Sequence, residues 1–585
     1  MPRPRPRPAR WLPALLGLLA LPAGGLGGGP GLGAELQQLR GAVLDGGPRA
    51  GRAYAKLAAF CDRFGHRLAG SAHLEAALDH LVAALGREFG AANVKAEPAM
   101  VPHWVRGREN ATLVAPLVGA PTAGRQLDLR MLGLGKSVGT GGAPVEADVL
   151  VVKDHDDLIR RGEAGQVEGK IVVWNWEKWE GYGKTVKYRY SGADWASEHG
   201  AVASLVKSIT PFSLNSPHTG TMAYSGDQKK IPAAALTLED VEMLQRMQDR
   251  GTPMRIRLCM EAENLPESPS RNVVVDIPGA EKPDEIVLLS GHIDSWDVGQ
   301  GAMDDGGGAF VSWEALSLIK SLGIQPKRTI RAIFWTAEEV GGGAKAYWAA
   351  HGNDTSMYSA VFESDSGVFS PLGLQLSGSL TAHARLRAVL EPLRDLGWHR
   401  VITGGGGADI SPAMKKGVPG LSLYSNEVRD FRDHQLKNAN SHGNSPHFQG
   451  QYFFYHHSHA DTMSVLDSGQ MDNVTLLWAS AALGLAEEEE MLPRGEVADN
   501  DAVTAEFGGV MDVDANDLVC EDRVPYHFHR EDKEAEMVTL AFAVIVGLVV
   551  GALITLFVQR VLHEKKKRSG QAQYVEMQPA EPENF

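Results

Sequence analysis

Four short segments of the chain concentrate histidine and acidic residues, the side chains that bind divalent metals in proteins. The longest begins at Ser290 and reads SGHIDSWDVGQGAMDDGGGAF, directly after the apolar run 286–289. The other three are WTAEE from Trp335, ESD from Glu363 and YHHSHAD from Tyr455. Each segment alone is compatible with an ordinary polar loop. Together they supply imidazole and carboxylate groups, which are the ligands of zinc and related metals, so they indicate a metal site.

The first three segments each follow a predicted buried strand, and the fourth is expected at a strand end of the same domain. Apolar runs at 286–289, 330–335 and 360–362 predict strands, and the pattern at 310–321 predicts a helix between two of them. This alternation predicts an α/β fold with a mixed, largely parallel sheet flanked by helices. Ligands bind at loops beyond the carboxyl ends of strands in such sheets. The positions of the segments therefore favour one shared site over unrelated surface loops.

The remainder of the folded part shows two different sequence patterns. Residues 34–90 have helical spacing of apolar residues, and residues 111–114 and 272–275 predict strands of the same domain. Between them, residues 144–262 predict a block of short strands and helices inserted into the first domain. Within this block, strands are predicted at 148–152, 170–174 and 231–236, with a helix over 192–206.

The bulk composition limits the classes of partner and compartment. A chain of 585 residues is too long for one compact core, so we expect two or more folded units. The net charge of −15 gives no basic surface for nucleic acid, which we exclude as a partner. The three cysteines, Cys61, Cys259 and Cys520, are too few for a disulfide scaffold.

Both ends of the chain predict entry into the secretory pathway. Residues 1–33 combine a basic start, a short apolar run and small residues, which is typical of a signal peptide. Residues 537–558 carry no charge and are long enough for a transmembrane helix. Basic residues follow this span, so residues 559–585 are predicted as a cytoplasmic tail and residues 495–536 as an acidic extracellular stalk. The expected topology is type I, with the large domain facing the lumen or the outside.

Three Asn-x-Thr triplets fit an exported protein. They begin at Asn110, Asn353 and Asn473, and each is a candidate glycosylation acceptor.

The segments GHIDSWDVGQGAMDDGGGAF, FWTAEEVGGGAKAY, ESDSG and YHHSHADTM together resemble the di-zinc exopeptidases of the aminopeptidase and glutamate-carboxypeptidase type. The resemblance extends over roughly residues 42–494. It implies a zinc exopeptidase fold, with residues 34–143 and 263–494 forming the peptidase domain and residues 144–262 an inserted protease-associated domain. The chain departs from the family pattern by continuing past residue 494 and by an apparent insertion at 429–451.

The resemblance implies two Zn²⁺ ions per subunit. One ion would be held by His292 and Asp365 and the other by Glu339 and His457, with Asp304 bridging the two. Glu338 would be the general acid/base that activates a water shared by the metals. Asp294 would be the carboxylate that orients His292.

Other histidines and aspartates near these residues are expected to have different roles. His457 is preferred to His456 and His459 because it precedes Asp461 by four residues, which is the family spacing. Asp305 is expected to be a turn or cap residue. Asp409, in the Gly-rich stretch from Gly404, is as compatible with contact to a peptide terminus as with a flexible loop.

The activity implied by the resemblance is hydrolysis of small peptides by a carboxypeptidase or dipeptidase. An aminopeptidase on the same scaffold is the alternative within the family, since the ligands alone do not separate the two. A catalytically inactive receptor or adhesion protein is the alternative from another class. The family also implies a homodimer and a secreted or lysosomal location, whereas the predicted span favours an anchored form of this chain.

Overall fold

The computed structural model describes residues 32–114, 126–226, 228–352, 354–425 and 452–507. Several predictions fall outside these residues, namely nearly all of the signal region, the span 537–558 with its tail, most of the stalk, the insertion 429–451 and Asn353. Among the helices of the described ranges, none has the length and apolar character needed to cross a bilayer.

The described strands, in chain order, are β1 (Val94–Val105), β2 (Glu109–Leu113), β3 (Leu127–Leu129), β4 (Met131–Gly133), β5 (Val145–Val152), β6 (Ile171–Trp174), β7 (Ala203–Lys207), β8 (Ala233–Leu236), β9 (Arg255–Met260), β10 (Glu263–Ile277), β11 (Lys282–His292), β12 (Arg328–Trp335), β13 (Tyr358–Phe362), β14 (Pro371–Ser377), β15 (Arg400–Thr403) and β16 (Gly420–Ser425).

The described helices are α1 (Leu32–Val43), α2 (Arg52–Phe64), α3 (Ala72–Phe89), α4 (His155–Glu163), α5 (Tyr182–Thr185), α6 (Lys187–Tyr190), α7 (Gly192–Glu198), α8 (Leu238–Asp249), α9 (Gly307–Ser321), α10 (Gly343–His351), α11 (Leu380–Leu390), α12 (Ser411–Met414), α13 (Tyr452–Tyr455), α14 (Ser468–Glu487) and α15 (Asn500–Phe507).

The first sheet has the strand order β1-β10-β12-β11-β13-β16-β14-β15. Its centre, β12-β11-β13-β16, is parallel, and the outer strands on the β1 side are antiparallel. On the other side, β14 runs antiparallel to β16 and parallel to β15. The predicted mixed α/β architecture is confirmed, and the parallel block is the part that carries the chemistry.

Helices cover both faces of the first sheet. Val287 and Leu289 of β11 pack in the cluster that contains α1, α2, α9 and α14, while Ile286 and Leu288 pack in the cluster that contains α10. Successive residues of a strand point to opposite faces. A central strand covered on both faces therefore reads as an unbroken apolar run, which is why residues 286–289 predicted a strand.

The second sheet lies between β1 and β10 in the chain and has the order β3-β2-β9-β5-β6-β7-β8-β4. Strands β2 to β4 pair within it, although residues 34–143 were assigned to the peptidase domain from the sequence. The difference arises because β2 pairs with β9 and β4 with β8, contacts between segments about 100 residues or more apart. Short strands carry no local signal of which sheet they will join.

The prediction of one helix over residues 192–206 is wrong. Helix α7 ends at Glu198, and β7 begins at Ala203. Gly200, between them, has φ 81°, a left-handed conformation that ends the helix at low cost for glycine. The small residues Ala193 and Ala196 do lie in α7, whereas the later part of the segment forms β7, whose five residues are all buried.

Candidate metal centre

The first three segments meet at one edge of the parallel block. His292 is the last residue of β11 and is paired in register with Trp335, the last residue of β12. Strand β13, on the other side of β11, ends at Phe362, just before Glu363. Since these strands are parallel neighbours, their carboxyl ends bring the His292, Glu339 and Asp365 segments together, as predicted. The expectation that the fourth segment also lies at a strand end is wrong, because this segment begins at the end of helix α13.

Asp304 lies between two imidazoles. Its Oδ1 is 3.1 Å from Nε2 of His292, and its Oδ2 is 3.2 Å from Nε2 of His457. All three side chains are buried, with exposed fractions of 7% or less. One carboxylate thus faces both predicted ligand groups, one with each oxygen.

Each imidazole also faces a second carboxylate. Oδ1 of Asp365 lies 3.7 Å from Nε2 of His292, and Oε2 of Glu339 lies 2.9 Å from Nε2 of His457. Tyr452 donates from its hydroxyl to the same Oδ1 of Asp365, over 3.1 Å. The five predicted ligands are therefore brought together as two groups that share Asp304.

Asp294 connects the first histidine to the two adjacent glutamates. Nδ1 of His292 lies 3.1 Å from the Asp294 backbone carbonyl and 3.4 Å from its carboxylate Oδ1. The carboxylate accepts the backbone N–H of Glu338 at 3.0 Å and that of Glu339 at 3.3 Å. Ala337 has φ 57°, so the chain turns here after the strand has ended. This turn lets two consecutive glutamates occupy different positions in the site.

Glu338 is only partly buried at the edge of the site. Removal from water raises its pKa well above the ordinary glutamate value; His292 opposes this shift, and the negative charge of Asp365 adds to it. A carboxyl group with a raised pKa can both accept and return a proton near neutral pH.

Asp461 and Asp305 hold backbone around Asp304. The Asp461 carboxylate accepts the N–H groups of Ala302, Met303 and Asp304 at 2.7–3.2 Å. Asp305 accepts the N–H of His292 at 3.0 Å and also that of Gly308 at 3.1 Å, as expected for a turn residue. Both carboxylates therefore act on the backbone that presents the ligands.

His457 is supported from the second sheet, which the sequence did not indicate. Its Nδ1 lies 3.2 Å from the carbonyl oxygen of Thr219 and 3.4 Å from Nη1 of Arg189. Arg189, buried in α6, also donates to the Thr219 carbonyl at 3.3 Å and to the hydroxyl of Tyr182 at 2.7 Å. No motif marks Arg189, because its role depends on a contact across 268 residues.

The charge state of His457 depends on its carboxylate neighbours. Burial would lower its pKa, but the negative charge of Glu339 and the hydrogen bond to Asp304 raise it to about 9. His456 stacks on His457 with ring centroids 3.4 Å apart. Burial and the neighbouring His457 hold the pKa of His456 well below its usual value.

The Gly-rich stretch ends beside the site. Glu363 accepts the backbone N–H groups of Asp409 at 3.3 Å and Ile410 at 2.9 Å. Burial and the neighbouring Glu363 and Glu338 raise the pKa of Asp409 well above its usual value. Asp409 is therefore an ordered, buried residue near Glu338.

The residue set fits divalent metal ions. Among the described residues, His292, Asp304 and Glu339 offer ligand atoms within 4.8 Å of one another, as do Asp304, His456 and His457. The buried Oε1 of Glu339 accepts no hydrogen bond within the described part of the chain. A buried carboxylate oxygen of this kind is costly unless a cation or a donor satisfies it.

Two of the predicted glycosylation acceptors are described. Asn110 is exposed on β2. Asn473 lies partly buried on α14, and the Thr475 of its triplet is fully buried.

Comparison with known proteins identifies the family of the chain. The pattern of Peptidase family M28 matches residues 272–482. Carboxypeptidase Q from Mus musculus is 45% identical over 444 residues, covering 76% of this chain and 87% of that protein. Carboxypeptidase Q from Homo sapiens is 44% identical over 449 residues, covering 77% of this chain and 88% of that protein.

Solved structures show the same fold. A Peptidase M28 precursor from Shewanella amazonensis superimposes with a TM-score of 0.69 at 29% identity, covering 79% of this chain and 98% of that chain. An aminopeptidase from Aneurinibacillus sp. strain AM-1 shares the fold with a TM-score of 0.52 at 17% identity, over 79% and 97% of the two chains. Because relatives at 44–45% identity align over most of their length, and the family pattern matches the part of the chain that holds the candidate ligands, the chain belongs to peptidase family M28 and is a metallopeptidase.

Proposed function

We propose that this protein is a di-zinc exopeptidase that hydrolyses small peptides, with carboxypeptidase or dipeptidase specificity. The observation that carries the proposal is Asp304, whose two oxygens face two separate imidazoles at 3.1 and 3.2 Å. A carboxylate in this position can bridge two metal ions and offset part of their mutual repulsion. A single-metal site would not need it.

The proposed ligands form two groups. His292 and Asp365 would hold one zinc, Glu339 and His457 the other, and Asp304 both. When bound, the two ions would polarise the scissile carbonyl and lower the pKa of a shared water. Asp294 keeps Nδ1 of His292 engaged, so that Nε2 is the nitrogen left for a metal.

Glu338 is the proposed general acid/base. Its raised pKa and partial exposure support transfer of a proton from the attacking water to the leaving amine. The hydrogen bond from its N–H to Asp294 orients the residue from the backbone. The same carboxylate orients His292, so the acid/base and one ligand share a support.

The relatives named carboxypeptidase Q, at 43–45% identity, support carboxypeptidase or dipeptidase activity over aminopeptidase activity. An inactive receptor is disfavoured, because all five ligand positions and Glu338 carry the residue type that hydrolysis needs. We further propose that the second sheet is an inserted protease-associated domain, that the enzyme acts in the secretory pathway, anchored or released, and that it forms a homodimer.

The test uses the full-length protein and three substrates of one sequence: a free dipeptide, its N-acetyl form and its C-terminal amide. A carboxypeptidase hydrolyses the free and N-acetyl forms, and a dipeptidase only the free form. Metal content is measured by mass spectrometry on the same sample. Cleavage of the amide but not of the N-acetyl form would identify an aminopeptidase. Absence of both zinc and hydrolysis in folded protein would reject the enzyme proposal.

A further inference from the structure

Arg67 is a fully buried cation in the connection between α2 and α3. Its guanidinium donates to four backbone carbonyls: Ile293 at 2.6 Å, Gln300 at 2.7 Å, Gly301 at 2.8 Å and Gly65 at 3.0 Å. It forms no ion pair with any carboxylate of the described ranges. A buried charge is costly unless its surroundings are arranged for it, so this arrangement calls for an explanation.

Three of the four carbonyls belong to one loop, residues 293–301, which joins His292 to the segment of Asp304. Ile293 directly follows His292, and Gly301 precedes Asp304 by three residues. The backbone of Arg67 adds two bonds to the start of the loop, since its N–H donates to Ser295 Oγ at 2.9 Å and its carbonyl accepts the Ser295 N–H at 3.1 Å. One residue therefore holds both ends of the loop.

The bonds of Arg67 complement those of Asp461. Asp461 binds the N–H groups of residues 302–304, and Arg67 binds the carbonyls just before them. The segment that presents Asp304 is thus held from both directions: its carbonyls accept hydrogen bonds from the Arg67 cation, and its N–H groups donate to the Asp461 carboxylate. The planar fork of arginine can reach several carbonyls at fixed angles, whereas a lysine ammonium cannot reproduce this geometry.

The 293–301 loop has no space to shift toward Arg67. A β-carbon at Gly301, which has φ 56°, would lie 2.2 Å from Cβ of Ser295 and 2.9 Å from Nη2 of Arg67. The two ends of the loop and the guanidinium are therefore in direct contact.

We infer that Arg67 is a positioning residue that sets the separation of the two metal-ligand groups by fixing both ends of the 293–301 loop. The inference rests on the proposed two-metal function. Arg67 does not touch the ligand atoms; it acts through the backbone that carries His292 and Asp304.

The experiment compares full-length wild type with Arg67→Lys and with Arg328→Lys. Arg328, at the amino end of β12 and away from the site, is the control: it is fully buried and donates to the carbonyls of Glu488 and Glu489, and it differs from Arg67 in also pairing with Glu285. Each protein is stripped of metal and loaded with Mn²⁺. Binding of the first and second ion, the electron paramagnetic resonance spectrum of the pair, and Tm with and without metal are recorded. Exchange coupling between two Mn²⁺ ions depends steeply on their separation and bridging.

For Arg67→Lys we expect about tenfold or greater weakening of second-ion binding, an altered exchange-coupled spectrum and a smaller rise of Tm on adding metal. Arg328→Lys should lower Tm equally with and without metal and leave the spectrum unchanged. Ser295→Ala, a milder change that removes one bond to Arg67, should shift the spectrum in the same direction as Arg67→Lys, and it provides the readout if Arg67→Lys does not fold.

Wild-type coupling and second-ion affinity in Arg67→Lys, or in Ser295→Ala where Arg67→Lys does not fold, would overturn this inference and leave the proposed function intact. Failure of the wild type to bind a second ion would overturn both. The two failures are therefore distinguishable in one set of measurements.

Discussion

Each of the two sheets has a parallel central block, but different side chains lie at the ends of the parallel strands. In the first sheet, β11, β12 and β13 end beside His292, Glu339 and Asp365. In the second sheet, the parallel strands β6, β7 and β8 end at Trp174, Lys207 and Leu236. Strand ends of a parallel sheet converge in both, so convergence alone does not make a metal site. The side chains placed at the ends decide.

Residues in the connections of the second sheet nevertheless contact the site. Its α6 and the loop after β7 place Arg189 and the Thr219 carbonyl against Nδ1 of His457. The domain of the first sheet would supply the ligands. Residues connected to the second sheet contact one of these ligands, His457, at Nδ1. Each of the following experiments pairs a change in the first sheet with a counterpart in the second, or tests the contact between them.

The largest effect is expected for Glu338→Gln. Loss of the general acid/base should lower kcat by roughly 10²–10⁴-fold with no loss of bound zinc. The counterpart is Glu242→Gln, which removes the partner of Lys207 near the end of β7. Steady-state kinetics on a dipeptide should show wild-type kcat for this control. A small effect of Glu338→Gln would mean that another group moves the proton.

The next effect is expected for Asp304→Asn, which keeps the shape of the side chain but removes the shared charge. We expect the second zinc to be lost on dialysis, as measured by mass spectrometry of the metal content. Asp194→Asn, at a buried aspartate of helix α7 that accepts the Ser225 N–H, is the control for a general fold defect. Retention of two zinc ions by Asp304→Asn would contradict the bridging role.

Arg189→Gln tests whether the second sheet contributes to the site. Groups that orient a metal-binding histidine typically affect metal affinity by about 10–100-fold, and we expect a weakening in this range at the His457 group. Lys207→Gln removes another buried cation, on β7 of the second sheet, and should leave zinc affinity unchanged. Equal zinc affinity in Arg189→Gln and wild type, from chelator competition, would reduce the second sheet to a structural role.

The last effect, about tenfold per pH unit, is the dependence of zinc affinity on pH. In the metal-free protein the pKa of His457 is raised to about 9, so the ring is protonated at neutral pH and must lose its proton to bind zinc. Zinc affinity should therefore rise with pH between 6 and 8, by about tenfold per unit for one released proton. Chelator competition at three pH values measures this slope, and His457→Gln should reduce it. An equal slope in both proteins would remove His457 from the ligand set.

Much of the fold and of the site could be predicted from the sequence. The run 286–289 predicted a doubly covered strand, because a central strand buries both faces, and the polar segment after it predicted a site at the strand end. The choice of His457 over His456 came from family spacing. It stays a prediction, supported by the 2.9 Å approach of His457 to Glu339.

Other features had no sequence signal. Strands β2 to β4 gave no indication of their sheet, since their partners are distant in the chain. Arg67 and Arg189 stand in no motif, and their roles arise from contacts across more than 200 residues. The single helix predicted at 192–206 ends at residue 198, because the chain turns at Gly200 and the residues that follow enter β7.

The sequence by itself determined which side chains are available for metal chemistry and that most of them follow strands, because residue type and strand periodicity are local properties. The tertiary structure alone decided that Asp304 faces two imidazoles, that Arg67 binds both ends of the loop between His292 and Asp304, and that the second sheet supports His457. Those arrangements depend on the packing of segments far apart in the chain, and distances between such segments are set by the whole fold.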